Sequence, residues 1–222
     1  MSTDQPCALL EPQAIQLVEA HGIPYVRYGV AHSSEEAVRI AEQLGYPVVL
    51  KVVSSDVLHK SDAGGVEVGL KSAPDVRQAY QRILAAVVTH VAGAEIESML
   101  VCEQAPPGLE VIVGALQDAL FGSTIMFGLG GVFTEVLRDV SFRVAPLKKQ
   151  DATEMIREIR GFPLLAGTRG HTACDLDALA DLLLAVSEMV VSQPDIHELD
   201  LNPVRVYAEG VAVLDARVLV ER

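Results

Sequence analysis

Helix-period and strand-period segments alternate along this chain and are broken once, at Ala105-Pro106-Pro107-Gly108. Two prolines followed by a glycine continue neither a helix nor an interior strand, so the break predicts two α+β halves, 1–104 and 105–222. In the first half, 11–21 reads as a helix with Pro12 in its first turn and Gly22 as its stop. Ser33-Ser34-Glu35-Glu36 reads as a capping box for a helix that runs to Leu44 and stops at Gly45. Strands are expected at 47–53 and 66–70, then a helix over 74–91 with Ser72 as its cap. The segments 97–104, 109–115, 123–127 and 142–146 are β-rich, helices are expected at 153–160 and 176–191, and a hairpin closes the chain. Leu179, Leu182, Leu183, Val186 and Val190 recur at the spacing of a helix face packed on a sheet.

The closing hairpin carries chemistry as well as shape. Its two apolar segments, within 196–217, hold Asp200, Asn202 and Asp215, and a turn at 207–210 is expected to bring these three oxygen donors to one end of the hairpin. Oxygen ligands on strands, with no Cys or His among them, suit Mg²⁺, which keeps waters and bridges to phosphates. The other reading is that Asp200 and Asn202 only shape the turn, since Asn-Pro initiates turns. Standard phosphate loops are absent. Gly69-Leu70-Lys71-Ser72 misses the Walker spacing by one residue, and after Gly128 and Gly130 the third position of a dinucleotide fingerprint is Phe133.

Charge limits the partners. The chain has 17 Lys plus Arg against 30 Asp plus Glu, a net charge of -13. That balance argues against nucleic acid and against an anionic membrane surface, and anionic substrates need local cations. Lys51 is one, set inside the apolar run Val48-Val49-Leu50-Lys51-Val52-Val53, where burial is costly unless an anion compensates it. The alternative is that it snorkels out at a strand edge. His59-Lys60-Ser61-Asp62-Ala63-Gly64-Gly65 follows, a polar loop whose glycines let backbone amides approach a phosphate; by residue chemistry alone, His59 also reads as an ordinary solvated histidine. Cys7, Cys102 and Cys174 are odd in number and widely spaced, which suggests neither a disulfide framework nor zinc. With no export leader read at the N-terminus and no run of the ~18 apolar residues a bilayer span needs, the expected location is the cytoplasm.

Taken together, six segments resemble the ATP-grasp fold, and within it the β subunit of the ADP-forming acetyl-CoA (acyl-CoA) synthetases. They are Gly22-Ile23-Pro24, the run Gly45-Tyr46-Pro47 to Lys51, Leu58 to Val66, Gly108 to Gly114, Phe127 to Phe133, and Glu198-Leu199-Asp200-Leu201-Asn202-Pro203. The resemblance covers about 10–220 and implies two α+β subdomains with the nucleotide between them. It also implies a relay in which a CoA-binding α subunit forms an acyl phosphate and passes the phosphoryl group through its own histidine to a second histidine, in the ATP-grasp subunit, which hands it to ADP. The matching histidine is His59. Lys51 matches a phosphate-clamping lysine, with Gly64 and Gly65 beside it. Glu103 falls in the segment that meets adenine, Glu110 matches an acceptor for ribose hydroxyls, and Asn202 and Asp215 match Mg²⁺ ligands, with Asp200 helping through water. The implied activity is acyl-CoA + ADP + phosphate ⇌ acid + CoA + ATP, by a hetero-oligomer that uses Mg²⁺ with ATP or ADP as substrate.

Other residues leave two readings open. Gly128 to Gly131 forms either a phosphate-side or subunit-contact loop or a purely structural turn. Arg143 and Arg169 either hold phosphate or form surface ion pairs. His171 is expected to be solvated, and Cys102 to be core. Two rival functions remain, a stand-alone ATP-grasp carboxylate ligase and a non-catalytic nucleotide-sensing subunit. Acyl specificity, reaction direction and ADP versus GDP preference are not encoded in these motifs.

Overall fold

In the computed structural model, which describes residues 6–57, 59–131, 139–168 and 172–221, the predicted alternation resolves into two antiparallel sheets, each with helices packed on one face. The chain divides into two compact units, Val26–Pro106 and Met1–Tyr25 with Pro107–Arg222.

In the unit Val26–Pro106, strands β2 (Tyr28–Ala31), β3 (Val48–Val53), β4 (Val66–Leu70) and β5 (Ser98–Glu103) form a sheet in the order β2-β5-β3-β4. Helices α2 (Ser34–Leu44) and α3 (Ala73–His90) cover one face, where Val48, Leu50, Val52, Met99 and Val101 join Val76, Ala79 and Ile83 in the core. Polar caps fix both helix starts. The Ser33 hydroxyl accepts from Glu36 N–H (3.2 Å) and that of Ser72 from Asp75 N–H (3.3 Å). The expected capping box is only half reciprocal, because the Glu36 carboxylate accepts from His32 N–H, one residue early. Strand β2 was missed in the sequence; it has four residues, and only Ala31 is fully buried.

The second unit is built on a seven-stranded sheet in the order β1-β11-β9-β6-β7-β8, with β10 also paired to β9. Its strands are β1 (Cys7–Ala8), β6 (Leu109–Asp118), β7 (Gly122–Leu129), β8 (Val140–Val144), β9 (Ile196–Val206), β10 (Val211–Val213) and β11 (Ala216–Val220). Helices α1 (Glu11–Ala20), α4 (Lys149–Glu158) and α6 (Leu176–Ser192) contribute Ala14, Val18, Met155, Leu179, Leu183 and Val186 to its core, with Val111, Val113, Ile125 and Phe127 from the sheet. A short helix, α5, spans Phe162–Leu165.

The first 25 residues belong to this second unit, whereas the linear reading grouped them with 26–104. Cys7 pairs with Val220 and Ala8 with Leu219, Leu9 N–H donates to the Val218 carbonyl (2.9 Å), and Val213 N–H donates to the Pro24 carbonyl (2.8 Å). A partner some 200 residues away leaves no trace in local periodicity. Among the described residues no helix is long and apolar enough to cross a membrane.

One cap also braces the hairpin that carries the oxygen donors. Asp175 caps α6 by accepting from Ala178 N–H (2.9 Å), and its other oxygen accepts from Gly210 N–H (2.8 Å) in the β9–β10 turn. These two bonds hold its carboxyl below the usual aspartate range. A lowered folded-state pKa gives stability that is present above the unfolded value, about 3.9, and is lost as pH falls through the folded value. Asp175→Ala should therefore lower the melting temperature at pH 7, and the gap to the parent should narrow in acid. Thermal melts at both pH values test this, and an equal gap at each would assign the effect to something other than the carboxylate.

Candidate functional site

Strand β9 carries most of the oxygen chemistry, and an irregularity in its register decides where that chemistry lies. Leu199 and Leu201 face the helices before the irregularity, Val204 and Val206 after it, and all four are buried. Opposite them, Val113 pairs with Leu201 but Val111 pairs with Val204, so β9 spends one residue more than β6 across this stretch. This is a β-bulge at Asn202-Pro203, the device that re-aims side chains beside functional sites. With strict alternation Arg205 would fall on the face of Leu199 and Leu201. The bulge instead puts it with Asp200 and Asn202 on the sheet face away from the helices.

Asp215 joins that face from the neighbouring segment. Asn202 N–H donates to the Asp215 carbonyl (3.2 Å), and Asp200 pairs with Arg217 across the ladder. The three donors therefore meet in the middle of β9. They do not meet at the hairpin end, as the turn position alone suggested, because β10 and β11 pair with successive halves of the same long strand. Burial pushes the Asp200 carboxyl above the usual aspartate range, and the charges of Asp215 and Glu198 add to the push; Arg217 and a hydrogen bond with Asn202 oppose it. No group of three or more His, Cys, Asp or Glu side chains able to hold a metal is present among the described residues. Two carboxylates and an amide suit an ion that completes its shell with phosphate and water, and two like charges crowded in a half-buried position suit a hard cation. These residues fit Mg²⁺.

On the same face lies Glu110, on β6 directly opposite Arg205. Arg205 donates to Glu110 Oε1 from Nη2 (3.0 Å) and Nε (3.2 Å). Gly130 N–H donates to the Glu110 carbonyl (2.7 Å), and a Cβ at 130 would lie 3.0 Å from the Glu110 carbonyl carbon. Glycine at 130 is thus explained by close packing on β6, which favours the structural reading of this loop; Val132 and Phe133 lie outside the described residues. Asn202 and Arg205 are three residues apart, roughly 10 Å at ~3.3 Å per residue. That is the scale separating the ribose of a nucleotide from its terminal phosphates.

Lys51, His59 and Glu103 belong to the other unit. Lys51 is 7% exposed on β3, an interior strand paired to β4 and β5, so it does not snorkel at an edge. It lies on the sheet face opposite α2 and α3, since Leu50 and Val52 fill their core. His59 is exposed at the start of a single helical turn: its carbonyl accepts from Ala63 N–H (3.2 Å). Gly65 N–H donates to the Lys60 carbonyl (2.7 Å) and Gly64 N–H to that of Ser61 (3.1 Å), with Gly64 at φ +68°. These paired bonds form a Schellman ending. The amides of Gly64 and Gly65, expected to face a phosphate, are instead committed to the turn. The glycines also serve packing, because a Cβ would lie 2.8 Å from Ala86 Cβ at 64 and 2.5 Å from Val52 Cγ1 at 65.

The loop has more anchors than its polar sequence suggested. Val57 and Ala63 are buried on either side of His59, the Ser54 hydroxyl donates to the Glu95 carbonyl (2.6 Å), and Asp56 Oδ2 accepts from Glu95 N–H (2.9 Å). Glu103 accepts from the N–H (3.0 Å) and Nε (2.7 Å) of Arg27, so its carboxylate ties β5 to the start of β2. Arg143 is ion-paired with Glu158 (2.8 Å), the surface reading left open above, and Cys102 is 2% exposed core. Arg169 and His171 lie outside the described residues. Arg27 and Arg205 were missed: in the sequence each is one arginine among apolar neighbours, and only the cross-strand partner gives it meaning.

The family model described as ATP-grasp domain matches residues 2–220. The chain is 44% identical over 211 residues to the acetate–CoA ligase [ADP-forming] I subunit beta of Pyrococcus furiosus, covering 95% of this chain and 91% of that one. It is 47% identical over 207 residues to the acetate–CoA ligase [ADP-forming] I of Archaeoglobus fulgidus, but spans 30% of that longer protein against 93% of itself. Among solved structures, the dinucleotide forming acetyl-coenzyme A synthetase 1 of Ca. Korarchaeum cryptofilum, in complex with coenzyme A, Ca-AMPCP and HgCl+, matches with a TM-score of 0.95 and 50% identity over 97% of this chain and 94% of that one. A second complex of that protein, with coenzyme A and Mg-AMPPCP and its phosphohistidine segment pointing towards the nucleotide binding site, matches at TM-score 0.84 and 46% identity, covering 97% and 93%.

Proposed function

The chain belongs to the ATP-grasp family, and from this we infer that it is the nucleotide-binding β subunit of an ADP-forming acetyl-CoA (acyl-CoA) synthetase, an acid–CoA ligase. The observation that carries the reading is the bulged strand β9, which lines one sheet face with Asp200, Asn202 and Arg205, beside Asp215 and Glu110. In this reading the donor set takes the phosphate end of a nucleotide and Glu110 takes its ribose. Lys51 neutralises phosphate charge. Asn202 and Asp215 would hold Mg²⁺, with Asp200 assisting through water, and the ion would neutralise phosphate oxygens and orient them. A neutral imidazole is a competent nucleophile near pH 7. His59 accepts a phosphoryl group and passes it to ADP, while the protein contributes positioning and charge neutralisation.

The acyl and CoA chemistry falls to a CoA-binding α subunit in a hetero-oligomer, working in the cytoplasm. Incubating the chain with labelled ATP and Mg²⁺ tests the reading directly. Acid-labile, base-stable label on His59 supports it. Nucleotide binding without label favours a sensing subunit, and ligation of an acid to an amine by the chain alone favours a stand-alone ligase. Asp215→Asn should weaken Mg-ATP by more than it weakens metal-free ATP, because that carboxylate acts through the ion. Equal losses in calorimetry would make Asp215 a structural residue.

A further inference from the structure

Glu110 is held from two sides. Its backbone is fixed by the close approach of Gly130, and Arg205 Nε and Nη2 both donate to one carboxylate oxygen, Oε1. No hydrogen-bond partner of Oε2 is found among the described residues. A glutamate on a strand face has three rotatable bonds, and an arginine fork removes most of that freedom before a ligand arrives. We propose that Arg205 is a positioning residue for nucleotide selection: it pins Glu110 through Oε1 so that Oε2 is presented to the ribose hydroxyls of a ribonucleoside di- or triphosphate. The proposal rests on the reading of Glu110 as the ribose acceptor. The bulge at Asn202-Pro203 is what makes the arrangement possible, since without it Arg205 would face the core.

The probes are ADP and 2′,3′-dideoxy-ADP, each titrated calorimetrically into the full chain. The parent protein should prefer ADP about tenfold or more, the scale of a hydrogen bond to a charged acceptor. Arg205→Gln should lose most of that preference by weakening ADP while leaving dideoxy-ADP nearly unchanged, a split that general destabilisation would not produce. Glu110→Ala sets the floor, and Glu110→Ala with Arg205→Gln should fall no further, because Arg205 acts through Glu110. Arg205→Lys, which keeps the charge but not the fork, should give an intermediate preference, and it carries the test should Arg205→Gln fail to fold. If the parent binds both probes equally, the ribose role of Glu110 fails and Arg205's falls with it. If the parent discriminates and Glu110→Ala does not, yet the Arg205 variants keep the full preference, Arg205 is only a sheet contact and this inference alone is overturned.

Discussion

Alanine in place of His59 should stop turnover of the reconstituted synthetase while nucleotide binding stays nearly intact. The imidazole is exposed at the first position of one helical turn, so its loss removes no core contact and should leave the fold and melting temperature almost unchanged. Its proposed contribution lies in accepting the phosphoryl group, and losing a covalent nucleophile lowers turnover by roughly 10³-fold or more. The chain alone with Mg-ATP should label itself slowly on His59 and form no acyl-CoA from any acid supplied with CoA. Adding a CoA-binding α subunit should restore the cycle for the parent and not for His59→Ala. For His59 to travel, the buried Val57 and Ala63 must release or the turn between them must hinge, so transfer should respond to changes at these two residues as well. Near-normal turnover of the reconstituted His59→Ala complex, or acyl-CoA made by the chain alone, would overturn the relay.

Lys51→Met should weaken ATP binding by about ten- to hundredfold, the equivalent of about 1.5 to 3 kcal/mol for one charge-assisted contact. Methionine keeps most of the stem in a position that is 7% exposed, and the ladder bonds of β3 to β4 and β5 are backbone bonds that the substitution leaves in place. The variant should therefore fold, with a circular dichroism spectrum like the parent's. A folded Lys51→Met that binds ATP as the parent does, measured by calorimetry, would sink the phosphate assignment.

The two assignments were unequally legible in the sequence. Lys51 stood out because one charge in an apolar strand contradicts the pattern around it, and only the pairing of β3 with both β4 and β5 decided between burial and an edge position. His59 needed the resemblance, because a histidine in a polar loop has an ordinary explanation. Gly64 and Gly65 show the opposite error: paired glycines after a polar loop suggested amides facing phosphate, and the local hydrogen bonds show a helical turn being ended against Ala86 and Val52.

Local periodicity and caps determined most of the elements, with α2 stopping at Gly45 and β4 falling at Val66–Leu70 as expected. They also named the donors Asp200, Asn202 and Asp215. Tertiary structure alone decided that residues 1–25 complete the second unit, that the donors meet in mid-strand, and that Arg205 faces Glu110. The reason is the range of the interactions. Alternation and capping act within a few residues and are written in the order of the chain. Strand register and the bulge at Asn202-Pro203 are set by hydrogen bonds between segments as far apart as Glu110 and Arg205, and a shift of one residue turns a side chain from one sheet face to the other.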